Sequence, residues 1–294
     1  DSVKTGYRSH FSRENEIATA GYYSVLLDDY QIQAELTATP RVAFQRFTFP
    51  KGTDNHILFN IGNRQGESGT VKDAYVTYTA DGHIEGWVIT IPEYVKKYQP
   101  GAAVPLYFSA VLDREPESYG SFHGNTQLAD AKESKGTGAG MYFTFSNEQQ
   151  EAVTAKIGLS YTSVENARIN LQAEAEGKTF EDAKEQAHQI WQEYLGRIEV
   201  ETSKREDKVK FYTGLYHALL GRGLANDVNG AYPRNDGSVG QLPMKEGKPQ
   251  YNVYNTDAAW GAQWNLSQLW TLAYPEYMSE YVSSHIPVSY THLR

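Results

Sequence analysis

The chain has 294 residues, 27 Lys+Arg against 36 Asp+Glu for a net charge of −9, and is 40% hydrophobic and 21% charged. This balance excludes a disordered or collagen-like chain and leaves room for one large domain or two smaller ones, each able to bury a core. The acidic excess argues against nucleic acid or anionic membrane as a non-specific partner, and zero cysteines exclude disulfides, thiol nucleophiles and thiolate metal sites without fixing a compartment.

No apolar run of 18 residues is present, so no transmembrane helix is expected, and DSVKTGYRSHFSRENE has neither a starting Met nor a signal pattern. Aromatic residues make up 13% of the chain and 22 of them are Tyr. Composition alone favours β-propensity as the reason over a sugar-facing surface.

From residue 20 to about 161 the pattern is one of short strands. Ile32, Ala34, Leu36 and Ala38 alternate with Gln33, Glu35, Thr37 and Thr39, the period of a half-buried strand. Beyond Pro40, Val42, Phe44, Arg46 and Thr48 share one face, with Ala43, Phe47 and Phe49 on the other. HILFNI follows, then Asp81-Gly82 between AYVTYT and HIEGWVI, a hairpin signal, then VPLYFSAVL, MYFTF and VTAKIGLSY. Many strands without intervening helices predict a sandwich.

The period then changes. Thr179 and Asp182 form a weak capping box ahead of Ala183, Ala187, Ile190, Trp191 and Tyr194, with Gly196 as terminator. A second helix is expected over 204–220, with Val209, Tyr212, Leu215, Tyr216 and Leu219 on one stripe, and a third from Asp257 to Tyr274, stopping at Pro275. The Gly/Asn/Pro-rich stretch between them shows no regular pattern, which points to a functional or disordered segment. Three helices do not close a helical domain.

Few motifs survive inspection. GTGAGM (Gly136–Met141) lacks dinucleotide-site spacing and precedes a strand, so it reads as a flexible loop; no P-loop, HExxH or G-x-S-x-G occurs. DVNGAYPRNDGS starts like a calcium loop but fails at Ala231, Tyr232 and Ser238, leaving an Asx-rich turn as the favoured alternative to a ligand-contacting loop. Asp257 has Trp260 and Trp264 at i+3 and i+7, which on a helix would set a carboxylate for sugar hydroxyls beside rings for a pyranose face. The same spacing equally describes a carboxylate at a helix start above core tryptophans. The eight histidines show no metal-ligand spacing, and His188 and His217 read as packing or surface residues.

FSRENEIATAGYYSVLLDDYQIQAELTATPRVAFQRFTFP (Phe11–Pro50) and FYTGLYHALLGRGLANDVNGAYPRNDG (Phe211–Gly237) resemble, in the same order, the N-terminal domain and the start of the catalytic domain of glycoside hydrolase family 92. YNTDAAWGAQWNL resembles a variant of that family's Trp-Asp-Thr segment, with Thr256 before Asp257 and Ala258 after it. The family comprises calcium-dependent exo-acting α-mannosidases abundant in gut Bacteroidetes. The resemblance implies a β-sandwich joined to an (α/α)6 barrel with the active site between them. It also implies inverting hydrolysis by an acid Glu and a base Asp about 6.5–9.5 Å apart, one Ca2+ near the terminal mannose, mannose-containing glycans such as N-glycans as partners, and a periplasmic or secreted location.

Carried over residue by residue, Asp257 corresponds to the mannose-binding Asp, with Trp260 as a candidate ring beside it. Asp227 and Gly230 match a string near the domain junction, and Glu14 and Glu16 fall in a block read as structural. The acid, the base and most calcium ligands are expected beyond this chain, so no catalytic residue is named, and the segment that supplies an aromatic wall is expected before Asp1. The expected organisation is a sandwich over 1–165, a helical linker over 166–203, the first helices of the barrel over 204–287, and a non-native tail over 288–294, where HIPVSYTHLR leaves the helical pattern. The alternative function is a non-catalytic carbohydrate-binding or adhesion sandwich, and the isolated chain is expected to be inactive.

Overall fold

The computed structural model describes residues 8–52, 55–64, 69–146, 148, 151–220, 223–255 and 259–291. They group into two compact units, Asp1–Lys184 and Glu185–Arg294.

In the first unit the strands are β1 (Glu16–Thr19), β2 (Tyr22–Leu27), β3 (Ile32–Ala38), β4 (Val42–Thr48), β5 (Asn55–Asn60), β6 (Thr70–Tyr78) and β7 (Ile84–Ile91). A short helix α1 (Glu93–Tyr98) precedes β8 (Val104–Leu112), β9 (Ser118–His123), β10 (Thr126–Ala129), β11 (Glu133–Lys135), β12 (Ala139–Phe145) and β13 (Ala152–Ser160). Nine strands form one sheet in the order β1-β2-β3-β4-β13-β8-β7-β6-β11, and four form a second in the order β10-β9-β12-β5. Ile57, Phe59, Met141, Phe143 and Phe145 from the small sheet meet Val76, Ile84, Phe108, Ala110 and Val153 from the large one. The expected sandwich is therefore present, its core filled by alternate residues of facing strands.

Asp81-Gly82 makes the anticipated hairpin: the Gly82 amide donates to the Thr79 carbonyl, and Gly82 sits at φ +82°, where only glycine is unstrained. The GTGAGM segment departs from expectation. Gly138, Ala139 and Gly140 are buried, and a Cβ on Gly140 would lie 2.0 Å from the Phe122 ring. Those glycines let a backbone and a ring approach closely; they do not make a loose loop.

Helix α2 (Val164–Ala175) and the first turn of α3 (Phe180–Gly196) cover the outer face of the large sheet, where Val42 and Phe44 meet Leu171, Ala175, Phe180 and Ala183. Helix α2 was not legible in the sequence because its buried face is Ala167, Asn170, Leu171 and Ala175, too small and polar for an apolar stripe. Ser163 caps it by accepting from the Asn166 amide at 3.1 Å. The Thr179–Asp182 box is real: the Thr179 amide donates to Asp182 at 2.8 Å and the Asp182 amide to the Thr179 hydroxyl at 3.1 Å.

This cover corrects the reading of β3. Its polar residues do not face solvent. Glu35 accepts from Arg46 Nε at 2.7 Å and Nη2 at 2.8 Å, Arg46 also pairs with Glu181 of α3, and its guanidinium lies over the Phe180 ring. These donors, Arg46 first, hold the Glu35 carboxyl below its ordinary value of 4.5. A carboxyl whose value is lowered by folding stabilises above the unfolded value and loses that contribution as pH falls through the folded one. Thermal melts below pH 4.5 are therefore expected to fall less steeply for Glu35→Gln than for the parent chain. An unchanged acid slope would show that the pair carries no pH-dependent stability.

Candidate functional site

The second unit holds α4 (Arg205–Leu219), hairpins β14 (Ala231–Pro233) with β15 (Val239–Gln241) and β16 (Met244–Lys245) with β17 (Lys248–Pro249), then α5 (Leu266–Ala273) and α6 (Pro275–Thr291). The glycine-rich stretch is thus built into two hairpins. The third expected helix does stop before Pro275, α5 ending at Ala273, and Pro275 then starts a further helix, α6, since proline at the first helical position loses no hydrogen bond. That helix also runs through the whole of HIPVSYT, contrary to the expected loss of pattern.

A short antiparallel ladder organises the candidate residues. Leu224 bridges Tyr254, the Ala225 amide donates to the Val253 carbonyl at 2.8 Å, and the Asn255 amide donates to Gly223 at 2.8 Å. Asn226, 2% exposed, accepts from the Val253 amide at 2.8 Å and donates to the Asp227 carbonyl at 3.1 Å. Asp227 is 1% exposed, and its own amide and carbonyl bond Ala231 and Gly230. Asn229 accepts from the Ala231 amide at 3.1 Å and Asp236 from the Ser238 amide at 2.9 Å, the Asx-turn geometry favoured over a calcium loop. Gly230, at φ +82°, allows the turn. Asp227 and Gly230 therefore shape the loop from inside.

The other end of the ladder leads toward Asp257. Thr256, Asp257 and Ala258 lie outside the described residues, and of Trp260 only the backbone is described, within a 3-10 turn over Ala259–Gln263. Trp260 lies in that 3-10 turn and Trp264 in the turn that follows it, so the two do not sit one α-helical turn apart, and the face they were expected to share with Asp257 falls outside the described residues. Trp264 is 70% exposed. The tryptophan at the core is Trp270, whose indole donates to the Ala218 carbonyl and whose ring meets Tyr277 and Tyr281 edge-on.

Sequence reasoning missed the residue at the centre of this network, Glu280 of α6. Its carboxylate accepts from the Asn252 amide at 3.3 Å, from Asn252 Nδ2 at 3.2 Å and 3.1 Å, and from the Tyr254 hydroxyl at 2.8 Å. One turn on, the Ser284 hydroxyl accepts from the Tyr254 amide at 2.9 Å. Burial first, then Glu280, pushes the Tyr254 phenol well above its ordinary range, so it is a fixed donor at neutral pH. A signal was available: Tyr277, Tyr281 and Ser284 keep a helical spacing past a proline fit for the first position.

Glu14 is exposed, and Glu16 accepts from the Tyr23 hydroxyl at 2.8 Å, a structural bond within the first sheet. His188 and His217 are on the surface. Among the described residues no three His, Asp or Glu side chains converge as a group that could hold a metal ion.

The glycosyl hydrolase family 92 N-terminal domain model matches residues 1–160, and the family 92 catalytic domain model matches residues 166–291. The chain belongs to glycosyl hydrolase family 92. Its fold is that of a family GH92 α-mannosidase from Bacteroides thetaiotaomicron, with TM-score 0.85 and 24% identity over 97% of this chain and 37% of that one. The same mannosidase in complex with mannoimidazole gives TM-score 0.83, 24% identity and coverage of 96% and 36%. A GH92 inverting mannosidase from the same organism gives 0.74, 23% identity and coverage of 94% and 35%. An uncharacterised secreted glycosidase of Arthroderma benhamiae is 24% identical over 233 residues, 72% of this chain and 29% of that protein. This family 92 chain thus spans about a third of the relatives it matches. Among its described residues no helix is long and apolar enough to cross a membrane.

Proposed function

We propose that this chain is part of an inverting, exo-acting α-mannosidase that removes terminal mannose from glycans such as N-glycans outside the cytoplasm. The observation that carries the reading is the ordered match of both family 92 domains together with a fold shared with GH92 mannosidases over nearly the whole chain. Secretion of the Arthroderma relative supports the location. In this reading Asp257 receives hydroxyls of the terminal mannose with Trp260 beside it, while Asp227 holds the preceding loop. The acid Glu protonates the leaving oxygen and the base Asp activates water from the opposite face, both supplied by parts of the enzyme beyond these residues.

Calcium is proposed to be held by those other parts as well, where it would bind sugar hydroxyls through oxygen-ligand exchange. The 294-residue chain alone is proposed to be inactive. Leu272 at 84%, Trp264 at 70% and Val282 at 51% exposure give its helical unit apolar surface that favours association over catalysis.

The test is expression of the complete reading frame that contains this sequence, beside the 294-residue chain. The complete enzyme is expected to release mannose from α-mannosides, to leave β-mannosides intact and to lose activity in chelator, while the short chain releases none. Hydrolysis of no α-mannoside linkage would refute the substrate class, and full activity after exhaustive calcium removal would refute the metal requirement.

A further inference from the structure

We infer that the outer face of the small sheet binds neutral saccharide chains, through two aromatic rings laid along the sheet over glycines. This goes beyond the α-mannosidase reading and does not draw on it. Cross-strand register sets out the face in rows: Gly120, Tyr142 and Leu58 share one, and Phe122, Gly140 and Asn60 the next. The rows are two residues apart on each strand, about 6.8 Å. Each ring therefore stands beside a glycine of the neighbouring strand, Tyr142 of β12 beside Gly120 of β9 and Phe122 of β9 beside Gly140 of β12.

The glycines decide how the rings lie. A Cβ on Gly140 would be 2.0 Å from Phe122 Cζ and 2.5 and 2.6 Å from its two Cε atoms, so the end of that ring lies across the glycine. A Cβ on Gly120 would be 2.5 Å from Tyr142 Oη and 2.6 Å from its Cζ. Both rings thus rest on backbone where a side chain would have stood, and both remain only half-buried. The same device occurs in the second unit, where a Cβ on Gly240 would be 2.3 Å from Tyr232 Cζ. There the ring seals a core with Leu242 and Val253 and is 8% exposed. On the small sheet it seals nothing. Helix α2 and the first turn of α3 lie on the other sheet, Leu58 beside Tyr142 is 59% exposed, and His56 and Gln127 are exposed as well.

The charge of the face selects its occupant. None of β5, β9, β10 and β12 contains Asp, Glu, Lys or Arg, although 21% of the chain is charged. A nucleic acid, an anionic glycan or a charged peptide would lose hydration here and meet no opposite charge. What borders the rings is neutral and hydrogen-bonding. Asn60 and Gln127 end the Phe122 row, and in the row beyond Tyr142 the His56 ring and the Thr144 hydroxyl lie 3.0 Å apart. A pyranose matches that combination, because its C–H face lies on a ring while its hydroxyls donate and accept at the edges. Rings in two successive rows suit linked sugars better than a single one.

The experiment is affinity electrophoresis of the complete enzyme through gels holding glucomannan or dextran, both neutral and neither an α-mannoside, with polygalacturonate as the anionic control. At least one neutral polysaccharide is expected to retard the enzyme, and polygalacturonate is not. Tyr142→Ala and Phe122→Ala are each expected to raise Kd for that polysaccharide about tenfold, with kcat/KM for an aryl α-mannoside unchanged. Either truncation can unsettle the sheet, so Leu58→Trp is the second variant. It adds a ring at an exposed position of the Tyr142 row and is expected to lower Kd about threefold. Retardation by neither neutral polysaccharide, equal retardation by polygalacturonate, or a Kd that Leu58→Trp and the folded truncations leave unchanged would overturn the inference. So would a dimer that Tyr142→Ala converts to monomer, which makes the face a contact between two copies. Resistance of Tyr142 to nitration in the complete enzyme would overturn it too, by showing the face covered by the rest of the chain. An enzyme that binds through these rings yet hydrolyses no α-mannoside would refute the functional reading and leave this inference standing.

Discussion

Phe143→Ala is expected to destabilise the sandwich by about 3–5 kcal/mol, the range for removing a large aromatic side chain from a close-packed core. Phe143 has no exposed surface and sits on β12, inside the small sheet. Its ring meets Phe59 edge-on at 5.8 Å and Tyr78 at 5.2 Å, so truncation removes contacts to both sheets at once. Pairing of β12 with β5 on one side and β9 on the other fixes the backbone, which limits how far the cavity can collapse. Leu58 is the internal control: it lies on β5, pairs with Tyr142 of β12, and is 59% exposed on the opposite face. Leu58→Ala is expected to change stability by no more than about 0.5 kcal/mol. Urea unfolding followed by near-ultraviolet circular dichroism measures both, and equal losses would contradict the assignment of inner and outer faces.

Gly158→Val is expected to lift α2 from the sheet and to cost about 3 kcal/mol or more, through overpacking that neither side can absorb. A Cβ on Gly158 would lie 2.4 Å from the Ala167 carbonyl oxygen and 2.7 Å from Leu171 Cβ, both in α2. The strand cannot recede, because β13 is paired with β4 on one side and β8 on the other. The helix must move, and with it goes the bond from Asn170 Nδ2 to the Leu159 carbonyl at 2.8 Å, made by a side chain with no exposed surface. Hydrogen exchange should show loss of protection over Val164–Ala175, with β5 and β12 retaining theirs. Unchanged protection in α2 would contradict the close approach.

What was legible in the sequence follows from where burial and periodicity coincide. In β4, Val42 and Phe44 face the helices while Phe47 faces the small sheet, and the alternation of both faces was readable because each side buries apolar groups. The Asp-Gly hairpin, the Thr179–Asp182 box and the end of α3 at Gly196 were readable because each is a local device. The polar face of β3 was not, since Glu35 and Arg46 satisfy one another across strands under a helix, and no local pattern separates that from a solvated face. In α2, small residues allow close packing and thereby erase the apolar stripe.

The candidate site shows the same division. The turn at Asp227–Ala231 was readable from its Asn and Gly, because those side chains bond their own backbone. The pairing of Asp257 with two tryptophans assumed one uninterrupted α-helix, whereas Trp260 lies in a 3-10 turn and Trp264 in the turn after it. Glu280 depends on contacts between residues 26 and 28 positions apart, which helical spacing alone cannot register. Family likeness supplied what spacing could not, and the order of two domains along one chain carries more of the functional proposal than any single side chain described in it.

The most direct test of the central claim is the anomer first formed from an α-mannoside by the complete enzyme, followed by proton NMR faster than mutarotation. Inversion across a carboxyl pair with water between them predicts that β-mannose appears first and α-mannose only later. Initial release of α-mannose, or release of no mannose, would contradict it.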